Sequence, residues 1–302
     1  MKNNKNKFIP VKNILKKKSF FLKKPNWLKI KIPNNFNKII KIKNIIKKYK
    51  LISVCEEALC PNLTECYNNG TATFMILGNI CTRSCPFCAI SNGRPNNVDK
   101  NEPKRIAKLI SKLNLNYVVI TSVARDDLRD AGAKQFAKCI KEIRIKKNIK
   151  IEILVPDFRK KIKYALNIIK KYPPDVFNHN IENVPRLYKK IRPGANYDFS
   201  LKLLNNFNKL FPNIPTKSGL MIGLGEKKNE IIDVFYDLLK NNVSMLTIGQ
   251  YLQPSKYHLS VKKYYTINEF LILKKKAISM GFNKVFCGPF VRSSYHASKQ
   301  IN

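Results

Sequence analysis

The sequence predicts an α/β protein built as a partial (β/α)6 barrel, with an N-terminal extension that bears cysteines and a short C-terminal extension. Three observations lead there. Six short apolar runs recur along the chain, and segments of helix length separate them. The runs end in polar or glycine-rich residues, as expected of a fold that gathers its chemistry at the carboxyl ends of parallel strands. A chain of 302 residues with 44% hydrophobic content is long and apolar enough for one large domain plus an extension.

The runs are TFMIL at 73–77, YVVIT at 117–121, IEILV at 151–155, DVFNH at 175–179, KSGLMIG at 217–223 and SMLTIG at 244–249. A helix-like stretch follows Pro103, and a second runs from Asp126 to Ile143. Such alternation favours parallel strands joined by helical crossovers. About six core strands suit an open barrel better than a closed eight-stranded one. The chain then divides into a basic extension with the first cysteines (1–66), the barrel (67–275) and a C-terminal segment (276–302).

No apolar run reaches the roughly eighteen residues that span a bilayer, so no membrane partner is expected. The start MKNNKNKFIP has no apolar segment followed by a small-residue cleavage site. A reducing cytoplasm is therefore the expected location, where disulfides are rare. The formal charge of +39 invites a nucleic-acid reading. Yet the positives are nearly all Lys, spread through the chain and mixed with Asn and Ile, without zinc-finger spacing or an aromatic RNA-recognition motif. No specific nucleic acid is expected, and steering of an acidic protein partner is the better use of such a surface. The first acidic residue is Glu56. The basic stretch before it fits four readings: gripping an anionic partner, lying over the barrel, partial disorder, or a mitochondrial-type presequence. Its Lys and Asn bias is shared by the whole chain, which argues against the last, and WLKIKIP is apolar enough to pack.

Six of the eight cysteines fall in two triplets, Cys55-x4-Cys60-x5-Cys66 and Cys81-x3-Cys85-x2-Cys88. Three thiolates at the second spacing can wrap one cubane cluster and leave its fourth iron open. Soft thiolates suit iron–sulfur clusters or zinc, and the missing fourth Cys or His near each triplet counts against closed zinc sites. Cys139 and Cys287 sit in apolar contexts and are expected to pack. His179, His258 and His296 share no metal spacing.

The stretch Cys81-Thr82-Arg83-Ser84-Cys85-Pro86-Phe87-Cys88 resembles the CxxxCxxC signature of radical S-adenosylmethionine enzymes, and the first triplet resembles the auxiliary-cluster motif of the lipoyl synthases. Further matches to that family are KPNWLKIKIP, GTATFMILG, VVITSV, RDDLRD, VPDF, DVFNHNIENVPRLY, RPGA, PTKSGLMIGLGE, GQYLQPS and GPFVRSSYHA, so the resemblance runs from about residue 22 to the end. Departures from the family pattern at Asn79, Ala124 and Ala131 touch no expected ligand.

The resemblance implies two [4Fe-4S] clusters and S-adenosylmethionine as cofactors. Cys81, Cys85 and Cys88 would hold the cluster that binds and reductively cleaves S-adenosylmethionine. Cys55, Cys60 and Cys66 would hold an auxiliary cluster with Ser293 as fourth ligand, Ser294 being the neighbouring alternative. The implied reaction is radical insertion of two sulfur atoms at C6 and C8 of an octanoyl chain carried on a lysine. Two S-adenosylmethionine would be consumed, and the auxiliary cluster would be the sulfur source. The implied partners are octanoylated lipoyl carrier domains of 2-oxoacid dehydrogenase complexes or the glycine cleavage carrier protein, and a reductant such as flavodoxin or ferredoxin. Unactivated C–H bonds explain the need for a radical, and placement then matters more than proton transfer. Residues at strand ends are candidates for cofactor contact: Thr121, Ser122, Asn178, Asn180, Glu182, Gly223, Gly225 and Glu226. Each also has a structural reading as a cap, a loop anchor or a turn. Arg192 would orient the carrier lysine region or pair with a carboxylate. Of the competing classes, a zinc-stabilised RNA-binding module would bind zinc tightly and show salt-dependent RNA affinity without redox chemistry, and a ferredoxin-like electron carrier would need neither the strand-end polar groups nor an open iron.

Overall fold

The computed structural model describes residues 22–29, 36–57, 60, 62, 65–66, 73–113, 115 and 117–300. The first 21 residues, and with them most of the basic start, lie outside the described residues, as do 30–33 of the WLKIKIP segment. The part of that segment that is described does pack, with Leu28 buried in a short 3-10 turn.

One sheet organises the chain. Its strands, in spatial and chain order, are β1 (Ile52–Ser53), β2 (Thr73–Ile76), β3 (Tyr117–Ser122), β4 (Lys150–Leu154), β5 (Val176–Asn178), β6 (Thr216–Ile222), β7 (Met245–Gln250) and β8 (Lys284–Gly288). β1 runs antiparallel to β2, and every later pair is parallel. Among the described residues β8 does not pair with β1, so the barrel is open. The six expected strands are β2 to β7. The sheet extends them by β1, two residues long, and by β8, which carries Cys287 and continues the parallel array into the segment set apart as C-terminal.

Parallel strands are covered on both faces, and here the two faces differ in chemistry. Val118, Ile120, Ile151, Ile153, Phe177, Leu220, Ile222, Leu246 and Ile248 pack in the main core under the helices. Tyr117 and Val119 point the other way and form a second cluster with Ala297 of the C-terminal tail. That inner face is polar elsewhere. Lys217 and Glu152 are both fully enclosed and paired at 3.0 Å, with Tyr117 and Asn178 each donating to the same carboxylate at 2.6 Å.

The helices obey local rules. Glu102–Lys112 starts with Pro103 in its first turn and buries Ile106, Leu109 and Ile110, an i, i+3, i+4 stripe. Ile267–Met280 opens on a Thr266/Glu269 capping box and stops at Gly281, whose φ of 113° is left-handed. The helix expected from Asp126 begins only at Ala133. Ala131 (φ 50°) and Gly132 (φ 89°) are left-handed and break it, while Asp126 and Asp127 accept guanidinium hydrogen bonds in the preceding loop. Among the described residues no helix is long and apolar enough to cross a membrane.

Candidate active site

The second cysteine triplet lies on the long loop that leaves the carboxyl end of β2. Cys81 is bound at both backbone sides, N to Ser91 O at 2.8 Å and O to Gly93 N at 3.0 Å, and the Cys88 amide turns back onto Cys85 O at 3.0 Å. The loop is then clamped from two directions. On one side Thr82 Oγ1 donates to Ala124 O and accepts from Asp126 N, while Arg83 bonds both Asp126 and Asp157. On the other, His258 Nε2 lies 3.0 Å from Cys88 O and Leu259 N donates to Pro86 O at 3.0 Å. Burial pushes the Cys85 thiol up to about 11 and the Cys88 thiol up to about 12. Thiols so desolvated lose their protons readily only when a bound cation stabilises the thiolate in place of the lost water.

The first triplet follows β1, the edge strand that pairs with β2. Cys55 follows β1 in a short turn, Cys60 N donates to Cys55 O at 3.0 Å, and Cys66 N to Asn62 O at 2.9 Å. The hydrogen bond between the Cys55 and Cys60 thiols holds Cys60 down and drives Cys55 up. Burial raises Cys66 to about 12. The C-terminal tail closes over this triplet. Asn62 Nδ2 donates to Phe290 O, and Glu65 receives Tyr295 OH and pairs with His296 Nε2 at 2.9 Å.

Two glycines let the tail reach the inner face of the sheet. A Cβ at Gly249 would strike Val291 O and lie 3.0 Å from an Arg292 guanidinium nitrogen, and one at Gly219 would lie 2.5 Å from Asn180 Oδ1 and 2.8 Å from Ser293 Oγ. Ser293 donates to Asn180 at 2.7 Å, and Asn180 donates in turn to Glu182 at 3.1 Å. Arg192, buried, donates to Asn180 O at 3.0 Å and to Tyr188 OH at 2.8 Å. Asn180, Glu182, Arg192 and Ser293 therefore meet in one polar patch. The tail that brings Ser293 to this patch also reaches the first triplet through Phe290, Tyr295 and His296.

The remaining candidates are used otherwise. Thr121 Oγ1 donates to Leu154 O across the strands at 2.9 Å. Asn178 spends its amide on Glu152, though its Oδ1 and the buried hydroxyl of Ser122 have no partner among the described residues. Glu226 accepts from Gly223 N and Leu224 N, bracing the glycine turn from within. Gly223 itself has no room for a side chain because Gln250 and Lys263 O fill the space. Gly225 (φ 109°) has only Lys262 near it. Cys139 is buried in the core, and Cys287 donates to Phe270 O.

His179 and Arg83 were not among the candidates. His179 is fully buried, with Nδ1 against Val155 O at 2.8 Å and Nε2 unpartnered among the described residues. Burial, then the charge of Arg192, lowers it to about 4 and keeps it neutral. Arg83 stood in plain view within the cysteine motif, but its partners lie 43 and 74 residues away.

Residues 75–238 match the model of the radical SAM superfamily. Over 284 residues the chain is 65% identical to a lipoyl synthase of Buchnera aphidicola subsp. Cinara cedri, covering 94% of this chain and 92% of that one. It is 58% identical over 293 residues to a lipoyl synthase of Yersinia pestis, covering 97% and 91%. The chain belongs to the lipoyl synthase family. Its fold is shared more widely: Streptococcus suis SuiB bound to S-adenosylmethionine superposes with a TM-score of 0.56 at 15% identity, over 74% of this chain and 53% of SuiB, so the likeness spans about half of that longer protein. As a lipoyl synthase family member the chain is a radical SAM enzyme. Among the described residues no three His, Cys, Asp or Glu side chains converge on the point a single metal ion would occupy. A four-iron cluster takes each thiolate on a different iron and asks for no such convergence. Two sets of three soft thiols fit that group.

Proposed function

We propose that the chain inserts two sulfur atoms, at C6 and C8, into an octanoyl group amide-linked to a lysine of a lipoyl carrier domain. The observation that supports this most is the tail: in a chain 65% identical to a lipoyl synthase, Phe290–His296 joins the first cysteine triplet to the strand-end patch of Asn180, Glu182 and Arg192. When bound, a [4Fe-4S] cluster on Cys81, Cys85 and Cys88 supplies the electron that cleaves S-adenosylmethionine, and one on Cys55, Cys60 and Cys66 supplies the sulfur.

The chain's own residues do the placing. Arg192 and Glu182 are joined through Asn180, and a guanidinium and a carboxyl there are suited to the carboxylate and ammonium of a bound amino acid. Ser122 Oγ and Asn178 Oδ1 are buried and unpartnered among the described residues, and each can accept from a ligand donor. The tail covers the inner face and keeps water from the reacting carbons. The fourth auxiliary ligand comes from the Ser293 and Ser294 pair. Ser293 must first exchange its hydrogen bond to Asn180, whereas among the described residues no side-chain hydrogen bond holds Ser294, which favours Ser294. The partner is an acidic carrier domain drawn by the lysine-rich surface, the reductant is of the flavodoxin or ferredoxin class, and the setting is cytoplasmic.

Anaerobic reconstitution with iron and sulfide, then incubation with S-adenosylmethionine, a reductant and an octanoylated carrier peptide, tests the reading by mass spectrometry. Lipoyl product is expected. Cys85→Ser should abolish S-adenosylmethionine cleavage, and Cys60→Ser should keep cleavage but lose sulfur insertion. Ser294→Ala should lose auxiliary iron while Ser293→Ala retains it. Absence of iron binding by the wild-type chain, or cleavage without any sulfur product, would refute the proposal.

A further inference from the structure

We propose that Arg83 is the positioning residue of the Cys81–Cys88 loop, a mechanical tie to two strand-end carboxylates and not a source of positive charge for the thiols. This rests on the reading of that loop as the radical SAM cluster site.

Arg83 stands between Cys81 and Cys85, and its guanidinium makes four hydrogen bonds. Nε and Nη2 each donate to Asp126 at 2.8 Å, while Nη1 and Nη2 donate to Asp157 at 2.8 and 2.6 Å. The three side chains are 7, 17 and 2% exposed, so water does not loosen the fork. Asp126 belongs to the loop after β3, and Asp157 to the loop after β4. One side chain thus fastens the cysteine loop to two neighbouring strand ends. Thr82 adds two hydrogen bonds to the first of them. His258 and Leu259 hold only the far half of the loop, at Cys88 and Pro86.

Charge bookkeeping separates the two possible roles. One guanidinium faces two carboxylates; Arg159, half exposed, lies 3.4 Å from Asp126, and Lys161 Nζ donates to Asp126 O at 2.9 Å. The Arg83 charge is met by its two carboxylates and lowers Cys85 less than Arg192 does, so its main contribution to the loop is place. A planar fork is required for that: a lysine ammonium keeps the charge but cannot span two carboxylates bidentately. The tie matters for three thiolates that must each meet a different iron, and losing an outer partner of a metal ligand typically costs 10–100-fold in metal affinity.

The test uses full-length holoenzyme reconstituted anaerobically. Iron loss to a chelator is followed in the wild type and in Arg83→Lys, Arg83→Gln and Asp157→Asn, with Cys60→Ser and Cys85→Ser chains assigning each phase to its cluster. The EPR signal of the reduced cluster is recorded with and without S-adenosylmethionine. A tie predicts that all three variants lose iron from the Cys81, Cys85, Cys88 site roughly 10–100-fold faster. The S-adenosylmethionine-dependent EPR change should broaden or vanish while the auxiliary phase stays as in the wild type; the iron-free chain should melt lower in Arg83→Gln and Asp157→Asn, because each leaves a buried charge without its partner. Rescue by Lys, or tighter iron in Asp157→Asn, would mean that charge is what counts and would overturn the inference. So would equal acceleration of both phases, the mark of a general loss of structure. A wild-type chain without iron at Cys81, Cys85 and Cys88 would overturn the functional reading itself, and is seen before any Arg83 variant is made.

Discussion

Replacing Lys217 by Met asks what the buried polar face of the barrel contributes. Lys217 and Glu152 are each 0% exposed; the ammonium lies 3.0 and 3.2 Å from the two carboxylate oxygens, and Tyr117 OH and Asn178 Nδ2 complete the shell at 2.6 Å each. Burial pushes Lys217 below its ordinary value, and Glu152 opposes that shift, so the charge depends on the pair. Without Lys217 the carboxylate keeps two neutral donors but no countercharge. Breaking a buried pair from one side costs about 3–5 kcal/mol, because the uncompensated charge has no water to turn to. Met fills nearly the same volume, so cavity formation adds little. Removing both charges in Lys217→Met/Glu152→Gln leaves an amide that can still bond Tyr117 and Asn178, and should recover most of the loss. Urea unfolding of the iron-free wild type, both single variants and the double variant forms a complete cycle. A Lys217→Met loss below about 1 kcal/mol, or a double variant at least as unstable as the two singles added together, would refute the reasoning.

Acid should expose the buried histidine. His179 falls from an ordinary 6.5 to about 4 in the folded chain, so the unfolded chain binds its proton first. Stability is therefore whole above pH 6.5, declines as pH falls toward 4, and then levels; at 1.36 kcal/mol per unit the decline is about 3 kcal/mol. His179→Gln should flatten the wild-type curve over that window, and parallel curves would contradict the assignment. The tail gives a steric prediction. Gly249→Ala puts a methyl onto Val291 O and should cost about 1–3 kcal/mol and speed proteolysis near residue 290. Gly288→Ala meets only Val291 Cγ2 at 3.5 Å, so its melting point and proteolysis should match the wild type.

The parts of this protein that could be read directly from residue order are those whose chemistry is local. Cysteines that are to hold one cubane must lie a few residues apart because one loop has to wrap it, so the spacing of Cys81, Cys85 and Cys88, the cluster ligands proposed above, stands out in the sequence. Strands β2 to β7 were legible because parallel strands covered on both sides need apolar runs, and the crossovers between them need helix length. β1 was too short to signal, and β8 was passed over because KVFCG lies in the segment read as an extension beyond the barrel. Ala131 and Gly132 broke a helix that the hydrophobic spacing from Asp126 had extended. Pairings across the barrel left no trace in the sequence. Lys217 meets Glu152 from 65 residues away, and Ser293 meets Asn180 from 113, because the curl of the sheet brings every second residue of each strand to a common interior. Which strand-end groups face a ligand, and which, like Thr121 and Glu226, turn inward to brace the backbone, depends on that curl and on the tail lying across it.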